Sequence, residues 1–322
     1  MSKTLNSKIS FPNLDELGVQ VWNKNFAKGA NIEVISTGSY VLNRALGAGG
    51  WPKGKIIEIF GTDSSGKSTL ALHSVLEAQK AGQRVVYIDL ENTLNPEWAK
   101  KIGVDASKLL VAYPNSGEEA MELIFKLIET KNVDLIIVDS VAALVPSAEF
   151  ESNFQDQTMG LHARLMSKGL RIIQSKLIGS HTTIIFINQI REKIGNSYIP
   201  SITTTGGRAL KYAASVRVEI KRCEAIKDSS NTTIGFATKG IVVKNKYGSP
   251  MAVANMALYF DSGFDVYHEV IQECLSKQVI VRKGSWFEYE GKNISQGLPH
   301  LRKLMRENKE LFEGVKKKVL FI

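Results

Sequence analysis

The sequence predicts an α/β protein whose central sheet is mostly parallel. Apolar runs rich in β-branched residues alternate with helical stretches from residue 55 to about residue 243. The clearest runs after the first cover residues 84–89, 133–139, 182–187 and 215–220. Continuous apolar runs are typical of strands buried on both faces, as in a parallel sheet covered by helices. After residue 262 this alternation ends, which predicts a separate, small C-terminal α+β domain.

The N-terminal segment predicts one short amphipathic helix over residues 13–26. Asn13 and Glu16 have the spacing of a capping box. One side of the helix is apolar and carries Leu14, Leu17, Val21 and Trp22. Since so small a helix has little to bury itself against alone, we expect it to pack on its own core or on a neighbouring subunit.

A complete phosphate-loop motif follows the first apolar run, residues 55–60. Its G-x-x-x-x-G-K-[ST] pattern reads Gly61-Thr62-Asp63-Ser64-Ser65-Gly66-Lys67-Ser68. A stretch of helical periodicity begins at Ser68, so the motif has the strand–loop–helix setting that it needs. The glycines let backbone N–H groups and the helix N-terminus point at a polyphosphate. We therefore predict a nucleotide site in which Lys67 reaches the β- and γ-phosphates and the Ser68 hydroxyl binds Mg²⁺.

Acidic residues end two of the predicted strands. Asp139 ends the run of residues 133–139, at the edge where open α/β sheets bind ligands, and is expected to hold the water shell of the metal. Glu91 lies just beyond the strand that ends at Asp89, where an acid can orient water for attack on the γ-phosphate. The pattern alone does not distinguish Glu91 from Asp89 in that role.

Composition places the chain among ordinary globular proteins and favours a polyanionic partner. Of its 322 residues, 43% are hydrophobic and 23% are charged, and the formal net charge is +9. A basic enzyme without a nucleic-acid partner has the same balance. Residues 1–6 show no apolar leader, no stretch approaches the roughly 20 apolar residues of a membrane span, and Cys223 and Cys274 lie far apart. We expect a cytoplasmic protein without a membrane partner.

Two polar stretches are candidates for nucleic-acid contacts. Residues 192–207 form a long Gly/Thr-rich connection, and long connections are usually functional or disordered. The groups suited to phosphates or bases are Arg191, Lys193, Ile194, Tyr198, Gly206, Gly207 and Arg208. Residues 151–160 precede a helix whose basic side carries Arg164, Lys168 and Arg171. Two surface loops and a solvated helix are the alternative interpretation.

The sequence after residue 262 predicts a series of short helices and strands. A helix over residues 267–275 leads into strands near residues 279–281 and 286–289. A turn over residues 290–293 follows, and then one basic helix over residues 301–311.

Seven segments, in order and at matching spacing, closely resemble the bacterial and phage RecA recombinase family. They are residues 35–39, 59–69, 88–92, 138–144, 186–191, 203–207 and 242–246. The likeness runs from about residue 35 into the C-terminal domain. It implies a RecA-type P-loop ATPase core with ATP and Mg²⁺ as cofactors.

The resemblance assigns roles around the nucleotide. Glu91 is similar to the water-activating glutamate of the family, and Gln189 to the glutamine that senses the γ-phosphate. Lys244 and Lys246 match lysines that reach the nucleotide of a neighbouring subunit. Trp98 stands where the family stacks an aromatic ring on adenine, and Asn95 where relatives commonly place Asp. The remaining nucleotide-binding set is Gly61, Thr62, Asp63, Ser64, Ser65, Gly66, Lys67, Ser68, Thr69 and Asp139, with Ser68 and, through water, Asp139 at the metal.

The resemblance also assigns contacts to DNA. Met159 and Ile194 are implied to insert between base triplets, and Tyr198 stands where relatives often carry Phe. Groups implied near phosphates are Ser167, Arg171, Gly206, Gly207 and Arg208, and those near the pairing strands are Arg164, Arg191 and Lys193. Residues that match the secondary, duplex-capturing site are Lys221, Arg222 and Lys239. Ile241 falls where relatives carry another Lys, which predicts a weaker secondary site.

The predicted organisation follows from these assignments. Residues 1–34 are a helix and linker for subunit polymerisation. Residues 35–262 are the ATPase core, with DNA-binding loops at about 151–160 and 190–207, and residues 263–322 are a gateway for duplex DNA. We expect a DNA-dependent ATPase that forms helical filaments on single-stranded DNA and exchanges strands with homologous duplex in recombination and repair. Loader and single-strand-binding proteins are expected partners. The alternatives are a hexameric helicase and a non-catalytic single-strand protector.

Overall fold

The fold is described from a computed structural model that covers residues 32–150, 160–192 and 202–320. Contacts divide the chain into two units, residues 1–33 and residues 34–322. All the elements below belong to the second unit. The predicted N-terminal helix lies outside the described residues.

Strands and helices alternate along the first two thirds of this unit. The strands are β1 (Val34–Ile35), β2 (Trp51–Pro52), β3 (Ile56–Gly61), β4 (Val85–Asp89), β5 (Leu109–Ala112), β6 (Leu135–Asp139), β7 (Thr183–Glu192), β8 (Ile202–Thr204), β9 (Val216–Lys227), β10 (Thr233–Asn245), β11 (Val253–Tyr259), β12 (Gly263–Phe264), β13 (Ile280–Lys283), β14 (Trp286–Tyr289) and β15 (Lys292–Gln296). The helices are α1 (Tyr40–Ala45), α2 (Lys67–Lys80), α3 (Pro96–Ile102), α4 (Gly117–Glu129), α5 (Ser147–Phe150), α6 (Leu161–Lys176), α7 (Ala209–Ala213), α8 (Val266–Ser276), α9 (Leu298–Glu307) and α10 (Lys309–Leu320). Within the described ranges, no helix has the length and apolar character needed to cross a bilayer.

The central sheet has the strand order β12-β11-β10-β9-β3-β7-β6-β4-β5, and β8 pairs with β7 outside this path. Strands β9, β3, β7, β6, β4 and β5 are parallel neighbours. Strands β10, β11 and β12 extend the sheet in antiparallel pairing. The five predicted apolar runs form β3, β4, β6, β7 and β9. The predicted α/β class with a mostly parallel sheet is therefore confirmed.

Both faces of the parallel strands are buried. Tyr87 and Ile137 belong to the cluster that includes the inner side of α2. Their neighbours Ile88 and Val138 belong to the opposite cluster, with α4 and α6. Asp89 and Asp139 end β4 and β6 at the carboxyl edge of the sheet, where the phosphate loop that follows β3 also lies.

Strands β9 and β10 are longer than the sequence predicts. The predicted run, residues 215–220, coincides with the buried part of β9, whereas residues 221–225 are exposed. Antiparallel pairing with β10 continues over this polar part. Apolar periodicity cannot indicate a strand whose side chains face water, so the sequence pattern ends where burial ends.

The C-terminal elements pack around their own apolar cluster. Strands β13, β14 and β15 form an antiparallel sheet, and α8, α9 and α10 contribute buried side chains to the same cluster. Two predictions were wrong here. Residues 292–293 begin the strand β15 rather than complete a turn, and the single basic helix is two helices. They separate at Asn308, whose Oδ1 accepts a hydrogen bond from the backbone N–H of Leu311 at 2.9 Å and caps α10.

Helix α8 is bonded to α1, which precedes the central sheet. The buried carboxylate of Glu269 accepts hydrogen bonds from Ser39 Oγ at 2.9 Å and from the Val41 N–H at 3.3 Å. One turn later Glu273 pairs with Arg44. These contacts place a fully buried acid at the start of α1.

Candidate nucleotide site and DNA-binding surfaces

The phosphate loop joins β3 to α2 and needs glycine at both ends. Gly66 has a φ of +99°, and a Cβ there would lie 2.6 Å from Leu258 Cδ1. A Cβ at Gly61 would lie 2.2 Å from the carbonyl oxygen of Ile220. Neither position has room for a side chain, so the loop closes tightly between the strand and the helix.

A hydrogen bond to the backbone holds the side chain of Lys67 inside the loop. Its side chain is largely buried, and Nζ donates to the carbonyl oxygen of Thr62 at 2.7 Å. Burial lowers the pKa of Lys67, and the carboxylates of Asp63, Asp139 and Glu91 act in the opposite direction. The buried Ser65 Oγ has no hydrogen-bond partner among the described residues. A loop with a sequestered cation and an unsatisfied hydroxyl fits a polyphosphate.

Ser68 and Asp139 lie in contact. Ser68 Oγ donates to Asp139 Oδ2 at 2.8 Å, and Tyr87 Oη donates to the same oxygen at 2.6 Å. Burial raises the pKa of Asp139, and these two hydrogen bonds oppose the rise. A carboxylate beside a hydroxyl is an oxygen donor set of the kind Mg²⁺ prefers, so the residues fit the expected metal. Sequence reasoning missed Tyr87, which lies in an apolar run.

The two acids that follow β4 have different partners. The carboxylate of Asp89 is buried and accepts hydrogen bonds from the N–H groups of Thr93 at 3.2 Å and Leu94 at 2.9 Å. Glu91 is exposed and accepts a hydrogen bond from Ser140, the residue next to Asp139. The carboxylate of Asp89 thus stabilises the loop that follows β4. Glu91 lies beside the carboxyl end of β6, where the metal is expected to bind. Ser140 was also missed by the sequence analysis.

Trp98 lies next to the phosphate-loop helix. Its Nε1 lies 3.3 Å from Thr69 Oγ1. Asn95 caps α3 by accepting a hydrogen bond from the Trp98 N–H at 3.1 Å. The cap fixes the start of α3, and the indole lies beside Thr69 of the phosphate-loop helix.

Gln189 lies at the carboxyl edge of β7 beside a buried polar network. The side chain of its neighbour Asn188 donates to Glu58 Oε1 at 2.9 Å and to the carbonyl oxygen of Thr205 at 3.0 Å. Glu58 also forms a buried ion pair with Arg217. The network therefore connects the strand that carries Gln189 with the end of the second loop.

Lys244 lies near the end of β10, the strand next to β9, and Lys246 lies just beyond that end. Lys244 Nζ donates to the carbonyl oxygens of Lys211 at 2.9 Å and Tyr212 at 3.0 Å, at the last turn of α7. Burial, with the charges of Lys246 and Arg217, lowers the pKa of Lys244. The side chain of Lys246 is exposed. Neither lysine contacts the phosphate loop of its own chain.

The described part of the second loop packs against the helix that follows the first. A Cβ at Gly206 would lie 3.3 Å from Met166 Cγ, and one at Gly207 would lie 3.5 Å from Ala163 Cβ, both on α6. Arg164, Ser167, Arg171 and Arg208 are exposed on α6 and at the start of α7. The chain brings these groups together on one surface. Strand β8 also shows that part of this predicted loop is a hairpin arm paired with β7.

Some predicted DNA contacts cannot be located. Met159, Lys193, Ile194 and Tyr198 lie outside the described residues, and only the backbone of Arg191 is described, in β7 opposite Thr203.

The predicted secondary-site cations lie on the exposed part of the β9–β10 pair. Lys239 is directly opposite Lys221, and Ile241 is opposite Glu219. Arg222 lies over the ring of Phe236, 4.6 Å from its centroid. Lys221 and Lys239 therefore share one face of the pair, whereas Arg222 lies on the other face with Phe236. The pair with Ile241 adds no cation.

A phosphate loop after a central parallel strand, with an acid at the end of another strand, defines a P-loop nucleotide-binding protein. Comparison with known proteins then specifies which one. Residues 19–265 match the family model of the RecA N-terminal domain, and residues 268–320 match that of the RecA C-terminal domain.

Curated relatives agree. The chain is 47% identical to Protein RecA of Mycoplasma genitalium over 90% of this chain and 85% of that protein. It is 48% identical to Protein RecA of Mycoplasma pneumoniae over 90% of this chain and 86% of that protein. It is 45% identical to Protein RecA of Malacoplasma penetrans over 94% of both chains.

The chain belongs to the RecA family. The predicted recombinase function is confirmed at the level of the family, with binding of ATP and DNA and self-assembly into filaments. The helicase and single-strand protector alternatives are not favoured.

Proposed function

We propose that this protein hydrolyses ATP in filaments on single-stranded DNA and couples that cycle to homologous pairing and strand exchange. The observation that carries the proposal is the meeting of Lys67, Ser68, Glu91 and Asp139 at one sheet edge. Ser68 is bonded to Asp139 at 2.8 Å, and Ser140 joins Asp139 to Glu91. A cation, a hydroxyl–carboxylate pair suited to a metal and an exposed carboxylate are the groups that phosphoryl transfer to water needs.

Binding begins with the loop of residues 61–69. Backbone N–H groups would receive the phosphates, and Lys67 would exchange the Thr62 carbonyl for a phosphate oxygen. When bound, Mg²⁺ would supply positive charge that offsets the charge developing on the phosphates. Ser68 and, through water, Asp139 would hold it. Trp98 would stack on adenine, and Asn95 would lie near its amino group.

Hydrolysis requires a base that is not already engaged. The carboxylate of Asp89 is taken up by two backbone N–H groups. Glu91 is exposed, and its one described hydrogen bond comes from Ser140. These contacts support Glu91 as the group that orients the attacking water.

Gln189 would report the γ-phosphate to the second DNA-binding loop. Asn188, directly before it, is bonded to Thr205 at the end of that loop at 3.0 Å. A movement of Gln189 toward the phosphate would therefore displace a strand end that is tied to Gly206 and Gly207.

Lys244 and Lys246 would complete the nucleotide site of a neighbouring subunit. Lys246 is exposed, and Lys244 would exchange its bonds to the carbonyl oxygens of Lys211 and Tyr212 for contact with charge across an interface. A head-to-tail interface of this kind generates an open helical filament. The N-terminal helix would dock on the neighbouring core.

DNA would lie along the surface formed by the two loops and α6. Met159 and Ile194 would separate base triplets, Tyr198 would stack, and the exposed cations would contact phosphates. Lys221, Arg222 and Lys239 would capture duplex, and residues 263–322 would guide it. Loader and single-strand-binding proteins as partners, and a cytoplasmic location, are parts of this proposal.

Strand exchange tests the proposal. A labelled single strand, incubated with ATP, Mg²⁺ and homologous duplex, should become duplex with the wild-type protein. It should not with Lys67→Ala, which removes the cation of the loop. Lys108→Ala, which removes an exposed lysine far from this edge, serves as the control and should behave as wild type. Wild-type yields that are equal with heterologous duplex would contradict the function.

A further inference from the structure

A buried tyrosine lies behind the expected metal site. Tyr87, in the middle of β4, is 1% exposed, and its Oη donates to Asp139 Oδ2 at 2.6 Å. The hydroxyl of Ser68 donates to the same oxygen at 2.8 Å. One carboxylate oxygen thus holds two hydroxyl donors, one from the phosphate-loop helix and one from the neighbouring strand.

The ring of Tyr87 contacts apolar side chains, whereas its hydroxyl contacts Asp139. The ring packs in the apolar cluster between the sheet and α2, a place that a phenylalanine ring would fill as well. The hydroxyl alone crosses from that cluster to the polar edge. Its effect is therefore local to Asp139, and a hydrogen bond to a charged group is stronger than one between neutral groups.

Two donors on one oxygen orient the carboxylate. With Oδ2 held by Tyr87 and Ser68, the carboxylate cannot rotate without breaking a bond to a fixed strand. Among the described residues no donor reaches Oδ1. That oxygen is left to accept from water bound to a metal ion, and partners behind a metal-binding group commonly set its orientation and affinity.

We propose that Tyr87 is a positioning residue for Mg²⁺: its hydroxyl fixes Asp139 so that metal and nucleotide bind cooperatively. This inference rests on the proposed function, because it assumes that Ser68 and Asp139 hold the metal. It adds a residue that neither the loop motif nor the strand-end acid indicates.

The test measures how strongly Mg²⁺ improves nucleotide binding, with no turnover involved. Affinity for ADP labelled with a fluorophore on its ribose is measured in excess EDTA and across a Mg²⁺ titration, for wild type and Tyr87→Phe. Tyr259→Phe is the matched control, since it removes a buried hydroxyl that lies 3.0 Å from His268 Nδ1 and not at Asp139. Melting in EDTA records whether each variant is folded.

Tyr87→Phe should bind the nucleotide in EDTA as wild type does and lose about tenfold of the Mg²⁺-dependent gain, the usual size of such an effect. Tyr259→Phe should keep the full gain. An unchanged gain in Tyr87→Phe, or an equal loss with and without Mg²⁺, would overturn the role of Tyr87. If Mg²⁺ brings no gain in the wild-type protein, the proposed metal site itself is wrong, and the inference falls with it.

Discussion

The side-chain amide nitrogen of Asn188 lies 3.0 Å from the carbonyl oxygen of Thr205, so the residue before Gln189 is bonded to the chain that leaves the second loop. The same amide donates to Glu58 at 2.9 Å, inside a buried ion pair with Arg217. Strands β3, β7 and β9 are joined through this point. In the proposed cycle, a nucleotide-dependent shift at Gln189 would therefore have a direct route to the proposed DNA-binding surface.

Asn188→Ala tests that route. The change leaves Glu58 and the Thr205 carbonyl without this donor, which should cost about 1–3 kcal/mol of folding stability. It should also reduce the stimulation of ATP hydrolysis by single-stranded DNA while nucleotide affinity remains. Melting curves and hydrolysis with and without DNA measure both, with exposed Asn132→Ala as the control. Full stimulation in folded Asn188→Ala would show that the bond carries no coupling.

Substitutions of Asp89 and Glu91 should have different effects on stability and on catalysis. Glu91→Gln should lower kcat by about 10²- to 10⁴-fold, the range for a lost general base, with nucleotide affinity and melting temperature unchanged. Asp89→Asn should weaken the turn that it caps, costing about 1 kcal/mol of stability, with a smaller effect on kcat. Single-turnover hydrolysis and thermal melts distinguish the two. If Asp89→Asn proved the slower enzyme, the assignment of Glu91 would be reversed.

Lys239→Ala should have opposite effects on folding and on duplex binding. Lys239 faces Lys221 directly across the pair, and like charges in that position repel, so the variant should be unchanged or slightly more stable. Its affinity for duplex should fall, and the slope of log K against log salt should decrease by about 1 if one phosphate contact is lost. Binding titrations at several salt concentrations check this, with Lys108→Ala for comparison. An unchanged slope would remove Lys239 from the DNA surface.

Glu269 predicts a pH dependence of stability. Burial raises the pKa of this carboxyl from 4.5 to about 8, against the hydrogen bonds from Ser39 and Val41. Between these values the folded state holds a proton that the unfolded state has released. This contribution to stability is therefore present below pH 4.5 and is lost as pH rises through about 8.

In that window the free energy of unfolding falls by at most about 1.4 kcal/mol for each pH unit. Glu269→Gln, which cannot ionise, should therefore flatten the fall in melting temperature between pH 4.5 and about 8. Glu273→Gln, one turn away, removes a carboxyl whose pKa is lowered by its hydrogen bond to Arg44. It should shift the whole curve without changing its slope in this range. Parallel curves for wild type and Glu269→Gln would refute the buried ionisation.

The sequence could predict those parts of the fold and site that depend on neighbouring residues. Strands β3, β4, β6, β7 and β9 are continuous apolar runs, and the loop of residues 61–68 is a local pattern. The site acids end two of these strands, so the contact of Ser68 with Asp139 follows from their common edge. The sequence pattern did not show whether Glu91 or Asp89 orients the attacking water. The folded chain distinguishes them, because the backbone N–H groups of Thr93 and Leu94 donate to Asp89.

The sequence could not predict features that depend on a partner distant in sequence, or strands whose side chains are exposed to water. Tyr87 is 52 residues from Asp139, and a tyrosine within an apolar run is ordinarily a core residue. The outer part of β9 faces water, so no apolar period marks it. The break at Asn308 had a local signal, since Asn is a favoured N-cap, but the basic composition on both sides suggested one helix. The roles of the individual DNA-binding residues and of Lys244 and Lys246 stay predictions.

The most direct test of a DNA-dependent ATPase that assembles through Lys244 and Lys246 is steady-state ATP hydrolysis, with and without single-stranded DNA, over a range of protein concentrations. Strong stimulation by DNA, rising cooperatively with protein concentration, is the result that this account predicts, since neighbouring subunits must complete each site. A rate that is indifferent to DNA and proportional to protein would contradict it, and would leave an ATPase whose sites are complete within one chain.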